Sequence, residues 1–170
     1  MPRTDTHQSM SLSPDRGLVI TRTFNVPRAL VWKAWTEPEH LVHWWGQPKG
    51  ATMPVCTVDL RVGGVAHYCI KTPDGGTMWA RNIFREIVEP ERLVFDMDFS
   101  DEHGNIADPP PGLPGHSLIT ATFAERDGRT TVTIVHTGVE RASAENQTNY
   151  QLGWGESLDR LAEQLATVGA

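Results

Sequence analysis

The stretch Ser143–Thr167, SAENQTNYQLGWGESLDRLAEQLAT, decides the fold, because it reads as the one long helix of the chain. Tyr150, Trp154, Leu158, Leu161 and Leu165 recur at spacings of three and four residues and so share one helix face. Ser143 is a candidate N-cap, with Asn146 three residues on. Gly153 and Gly155 flank Trp154 inside the helix. Each costs ~1 kcal/mol relative to Ala, which predicts close approach to another surface or a bend at that point.

Upstream of this helix the period is that of strands. Ser117–Glu125 and Thr130–His136 are joined by the turn Arg126-Asp127-Gly128. Arg92–Phe99 alternates with Leu93, Phe95, Met97 and Phe99 on one side, and Met78–Val88 precedes it across the turn Pro90-Glu91. The run CTVDLRVGG sets Cys56, Val58, Leu60 and Val62 against polar neighbours, and Gly63-Gly64 marks a hairpin leading to VAHYCIKT. Nearer the start, Leu18–Val26 is a strand. Pro27 suits the first turn of a helix through Trp35, and Pro38 ends it before a short helix Glu39–Trp45 that stops at Gly46. Between the strands, Asp101–Gly115 holds four prolines and three glycines in fifteen residues, so it is a loop, with no role assigned from its sequence.

The resulting order is a strand, two short helices, more strands and a long C-terminal helix. It predicts an α+β domain in which an antiparallel sheet of about six to seven strands buries one face against the last helix. A sheet curled around one helix leaves space between them, the natural place for a small apolar ligand. Residues 1–16 are expected to form a mobile tail and 17–170 a single domain.

Composition narrows the function classes. Of 170 residues, 15 are Lys or Arg and 21 Asp or Glu, giving a formal charge of -6. That balance disfavours binding to nucleic acid, which needs clustered cations. Apolar runs fall short of a membrane span, and residues 1–17 lack the apolar segment of a secretory signal, so a cytoplasmic location is expected. Cys56 and Cys69 fit neither a metal knuckle nor a disulfide scaffold and read as buried thiols. The unusual figure is six Trp against two Tyr. Trp32, Trp35, Trp44 and Trp45 fall close together, which means either an aromatic core corner or the wall of a cavity.

The segments RTFNVPRALVWKAWTEPEHLVHWWG (22–46), VDLRVGG (58–64), EIVEPERLVF (86–95) and YQLGWGESLDRLAEQL (150–165) resemble bacterial proteins related to the C-terminal domain of the activator of Hsp90 ATPase. That family is part of the START/Bet v 1-like (SRPBCC) helix-grip superfamily, and the resemblance covers about Leu18–Ala166. It implies a helix-grip fold and a cavity. It supplies no catalytic motif, because the superfamily spans lipid carriers, hormone receptors, cyclases and co-chaperone domains. The separate N-terminal domain of the eukaryotic co-activator is missing from this sequence, which argues against a chaperone partner.

The candidate chemistry is sparse. His40 and His43, with Glu37, supply too few ligands at too loose a spacing for a metal, so no metal or other cofactor is expected. His67, Asp96 and His136 are candidate acid–base residues if they face the cavity, although strand alternation sends His67 and Tyr68 to opposite faces. GWGES lies in a helix and is no nucleophile elbow, and GQPKG lacks the spacing of a phosphate loop. For ligand binding the candidates are Trp35, Trp44, Trp79, Phe95, Met97, Tyr150, Trp154 and Leu158. For any single Trp, core packing is the simpler reading.

The leading expectation is therefore a protein that binds a small hydrophobic or aromatic molecule between sheet and helix. The alternatives are a cyclase- or hydrolase-like enzyme using a cavity His or Asp, and a module that binds a chaperone or regulator. A homodimer is compatible with the sequence, but no residue points to one.

Overall fold

The structure is a computed structural model that describes residues 8–47 and 49–168. Eight strands form one antiparallel sheet: β1 (Gln8–Ser13), β2 (Gly17–Phe24), β3 (Thr52–Val58), β4 (Val65–Lys71), β5 (Thr77–Val88), β6 (Arg92–Ser100), β7 (His116–Arg126) and β8 (Arg129–Thr137). Their spatial order is β1-β2-β8-β7-β6-β5-β4-β3. Two short helices, α1 (Arg28–Thr36) and α2 (Pro38–Leu41), follow β2, and α3 (Ala144–Val168) closes the chain. This is the helix-grip arrangement, with one strand more than the sequence suggested.

The additional strand is β1. Residues 8–16 do not form the expected tail: Met10 pairs with Ile20 and Leu12 with Leu18 along the edge of β2, and both side chains pack against the core. The reason lies in edge geometry. An edge strand with one solvated face needs few apolar residues, so QSMSLS carries a weak signal. Met1–His7 lie outside the described residues.

Proline rules set the helices near the start. Pro27 is extended (ψ 149°) at the N-cap of α1. Glu37 is extended (φ -98°, ψ 129°) because Pro38 follows it, and that ends α1 and begins α2 with Pro at its first position. α1 buries Val31, Trp32, Ala34 and Trp35. The short second helix ends earlier than expected, at Leu41, and a run of turns carries Trp44 and Trp45 to Gly46, whose φ is +60°.

The run CTVDLRVGG also differs from expectation. Strand β3 stops at Val58, and Asp59–Gly64 turns back instead, leaving Leu60 and Val62 exposed. A Cβ at Gly64 would lie 2.1 Å from the carbonyl oxygen of Asp59, so this turn admits only glycine there.

The core fills the space between the sheet and the helices. Leu18 and Ile20 of β2, Phe95 of β6, Ile119 and Phe123 of β7 and Ile134 of β8 face Trp154, Leu158, Leu161 and Leu165 of α3. The capping prediction for α3 holds: Ser143 Oγ accepts the N–H of Asn146 at 3.3 Å. Of the two expectations for its glycines, close approach is not met. A Cβ at Gly153 or Gly155 would meet nothing within 4 Å, so neither marks a close approach.

Candidate ligand cavity

A cavity of about 490 Å³ separates the N-terminal half of α3 from the sheet. That is within the range of about 300–1,000 Å³ usual for small-molecule sites. Ile70, Met78, Ala80, Met97 and Ile119 line its sheet side, and Tyr150, Gly153 and Trp154 line its helix side. Gly153 faces this space, which explains why nothing lies near its Cβ position.

The Trp-rich segment supplies one wall. Trp45 makes edge-to-face contacts with Trp35, Trp44 and Trp154 at 5.5–5.6 Å between ring centroids, and with Phe95 at 5.7 Å. Such pairs stabilise beyond their buried area, by about 0.5–1.5 kcal/mol each. Trp44 is wholly buried behind this wall, its indole N–H donating to the carbonyl oxygen of Ala34 at 2.9 Å.

The Pro-rich loop gains a position. Its Leu113 and Pro114 line the cavity. The loop is fastened to the start of α3, where the Ser143 N–H donates to the Gly112 carbonyl at 3.1 Å and the Asn146 amide donates to the Pro111 carbonyl at 3.5 Å. Gly112 has φ +81°, and a Cβ there would come 2.6 Å from Asn146 Nδ2. Glycine is thus required for the docking.

Three of the eight candidate binding residues, Met97, Tyr150 and Trp154, line the main cavity. Trp35 and Phe95 line a separate space of about 20 Å³, large enough for a single water molecule. Trp44 and Leu158 are core residues with no access to either space. Trp79 is on the other face of the sheet, where it stacks on His67 with ring centroids 4.9 Å apart. Trp45, Tyr68, Ile70 and Met78 line the cavity without having been singled out. Strand alternation carried part of that information: Tyr68 pairs with Ala80 and Ile70 with Met78, so all four side chains share the inner face and Trp79 falls between them, on the outer one.

The three acid–base candidates separate in the same way. His67 lies on the outer face, its Nε2 3.0 Å from the carbonyl oxygen of Asp101. Asp96 is also outside, paired with Arg85 and 3.1 Å from His116 Nε2. Only His136 lines the cavity. It is 1% exposed, and burial lowers its pKa from 6.5 to about 3, so the ring is neutral at ordinary pH.

Hydrogen bonds fix the tautomer of that ring. Trp154 Nε1 lies 3.0 Å from His136 Nδ1, and His136 Nε2 lies 2.9 Å from Ser117 Oγ. An indole N–H can only donate, so Nδ1 is the acceptor and the proton resides on Nε2. His136 Nε2–H then donates to Ser117 Oγ. This is the reverse of a nucleophile–base pair, in which the imidazole nitrogen must accept the serine proton.

The other nucleophilic or phenolic groups are also held neutral. Burial, with a smaller contribution from Glu39, pushes the Cys56 thiol up to about 11, and burial raises Cys69. Tyr150 is pushed up to about 12 and Tyr68 is raised further, both by burial. Among the described residues no three His, Cys, Asp or Glu side chains are grouped to hold a metal ion, and no helix is long and apolar enough to cross a membrane.

Residues 25–166 match the family described as Activator of Hsp90 ATPase homolog 1-like protein. The chain belongs to that family. Among solved structures, it is similar to protein Ms6760 from Mycobacterium smegmatis, with 30% identity, 95% of this chain and 96% of that one covered, and a TM-score of 0.72. A solution structure from Arthrobacter aurescens has 26% identity over 94% and 91% of the two chains, with a TM-score of 0.75. Protein CV1439 from Chromobacterium violaceum has 28% identity over 85% and 93%, with a TM-score of 0.72. No curated protein matches the sequence. Membership in the Hsp90-activator-homolog-like family accounts for the helix-grip fold, which is commonly a ligand-binding fold, and leaves the ligand to be argued from the cavity itself.

Proposed function

We propose that this protein binds a small, largely apolar, aromatic-compatible molecule in the cavity between the sheet and α3. One observation carries the reading: a space of about 490 Å³ walled by Trp45, Tyr68, Ile70, Met97, Tyr150 and Trp154, far larger than the space of about 20 Å³ beside Trp35. Apolar walls of this kind recover free energy by removing an apolar surface from water, about 25 cal/mol per Å². In this reading the protein is a single ligand-binding domain, and Leu113 and Pro114 of the Pro-rich loop form part of the cavity's rim. Enzymatic acid–base chemistry gains no support from His136, whose ring is neutral and whose accepting nitrogen is occupied by Trp154.

The test is a thermal-shift screen of naphthalene-sized aromatics on two proteins, the wild type and Gly153→Leu. A ligand at 100 times its Kd stabilises by ~2.7 kcal/mol. A Cβ at Gly153 meets nothing within 4 Å and the residue lines the cavity, so a leucine there takes up part of the space. Expected is a rise in Tm for the wild type that Gly153→Leu abolishes. An equal rise in both proteins places the ligand elsewhere and overturns the reading.

A further inference from the structure

The hydrogen-bond chain Trp154–His136–Ser117 has a direction, and its end has no partner among the described residues. Trp154 donates to His136 Nδ1, and His136 Nε2–H donates to Ser117 Oγ. The serine oxygen is thereby an acceptor, and its own hydroxyl proton is still to be placed. No acceptor among the described residues takes it, although Ser117 is only 4% exposed and lines the cavity. A buried donor without an acceptor is unfavourable, and a ligand oxygen is the group that would relieve it.

The charges around the cavity restrict what can carry that oxygen. No Lys or Arg is among the residues that line it; of the two acidic residues that do, Asp98 turns its carboxylate to the outer face beside that of Asp96, and Glu156 lies on α3. Asp98 is engaged with His116 Nδ1 at 2.9 Å, and Glu156 accepts the backbone N–H of Lys49 at 3.2 Å. An anionic ligand would therefore be desolvated without a countercharge and in the presence of like charge. The phenol of Tyr150, which packs edge-on against the His136 ring at 5.4 Å, adds no positive charge either.

We infer that the cavity selects a neutral aromatic ligand bearing one hydrogen-bond acceptor, such as an aryl ketone, ester or ether, whose oxygen takes the hydroxyl proton of Ser117. This rests on the ligand-binding reading above and specifies the chemical class. Trp154 and His136 are positioning residues here: they fix the direction of the chain and hold the serine as a donor toward the cavity. Ile70, Met78, Met97 and Ile119 then supply apolar surface for the ring.

The experiment uses three matched probes, 2-acetylnaphthalene, 2-ethylnaphthalene and 2-naphthoate, titrated by NMR into wild type and Ser117→Ala. The ketone is expected to bind the wild type about three- to tenfold more tightly than the hydrocarbon, the gain typical of one net hydrogen bond. Ser117→Ala should remove that difference and leave the hydrocarbon's Kd unchanged, and the carboxylate should be the weakest of the three. A second readout needs no variant: the carbonyl 13C resonance of labelled ketone should move downfield on binding to the wild type, as it does when a carbonyl accepts a hydrogen bond. Equal binding of ketone and hydrocarbon, a preference for the carboxylate, or a bound carbonyl resonance at its position in hydrocarbon solvent overturns the inference while leaving the cavity a binding site. Failure of all three probes to bind overturns the ligand-binding reading itself.

Discussion

The indole N–H of Trp154 on α3 and Nδ1 of His136 on β8 are 3.0 Å apart, and this bond joins the long helix to the sheet inside a largely apolar wall. It links two facts that would be separate without it: a histidine held neutral, and a helix fixed in its rotation about its own axis. Both have measurable consequences.

The first concerns pH. His136 has a folded-state pKa of about 3 against an ordinary 6.5, so between these values the unfolded chain binds a proton that the folded protein does not. The stabilising contribution is fully present above pH ~6.5 and falls as pH drops, by up to about 1.4 kcal/mol per unit. Tyr150, the titratable group against this ring, is pushed up to about 12 and stays neutral throughout. Urea unfolding at pH 7 and pH 5 should show the loss in the wild type. His136→Gln can accept from Trp154 and donate to Ser117, and it should lose much less stability over the same interval. Equal losses would assign the acid sensitivity to other groups.

Gly153 permits a second, opposite prediction. Because a Cβ there meets nothing within 4 Å, Gly153→Ala should stabilise the protein by up to ~1 kcal/mol through helix propensity alone. A methyl group occupies little of a 490 Å³ space, so probe affinity should change only slightly. Denaturant titration measures the first effect and probe titration the second. A destabilised Gly153→Ala would mean that the position is crowded after all.

Adjacent residues Trp44 and Trp45 should behave differently. Trp44 is fully buried and satisfies the Ala34 carbonyl, so Trp44→Phe leaves that carbonyl unpaired and should cost about 1–3 kcal/mol without altering probe Kd. Trp45 faces the cavity, so Trp45→Phe should weaken probe binding, through lost wall area, by a larger factor than Trp44→Phe does. Side-by-side stability and affinity measurements on both variants decide the matter.

Arg160 anchors the C-terminal half of α3 to the segment after Gly46, donating to Gln47 Oε1 at 2.8 Å and to the Ala51 carbonyl at 3.0 Å. Gln47 is itself buried and donates to the Val42 carbonyl at 2.7 Å. Removal of either partner strands a buried polar group, so Gln47→Leu and Arg160→Met should each cost about 1–3 kcal/mol. The double variant should cost less than the sum, and a double-mutant cycle reads the coupling. Strict additivity would show that the bond contributes nothing.

Much of this architecture was legible in the sequence because its signals are periodic. The stripe Trp154, Leu158, Leu161 and Leu165 faces the core as its spacing requires, and Pro27 and Pro38 bound α1 as backbone sterics dictate. What escaped detection had no periodic signature. β1 is an edge strand with only Met10 and Leu12 to bury, and the turn at Asp59–Gly64 continues the alternation of β3 without being part of it. The site was harder still. In MWARNIF, Trp79 and Ile83 are apolar on one face while Met78, Ala80 and Phe84 are apolar on the other, so hydrophobicity could not say which face was inside; pairing with Tyr68 and Ile70 does. The chain of Trp154, His136 and Ser117 joins β7, β8 and α3 across separations of 19 and 18 residues, and no spacing rule reports it.

The four prolines of the loop 101–115 bear on how occupancy would be governed. Proline has little backbone freedom to lose, and the segment carrying Leu113 and Pro114 is already tied to the start of α3 through Gly112 and Ser143. Under the ligand-binding proposal, a guest entering past Leu113 and Pro114 would meet a segment already tied down at Gly112. Affinity should then report the chemistry of the interior almost undiluted, and the slow variable should be passage through a rigid opening, seen as association and release rates that change together while Kd stays fixed.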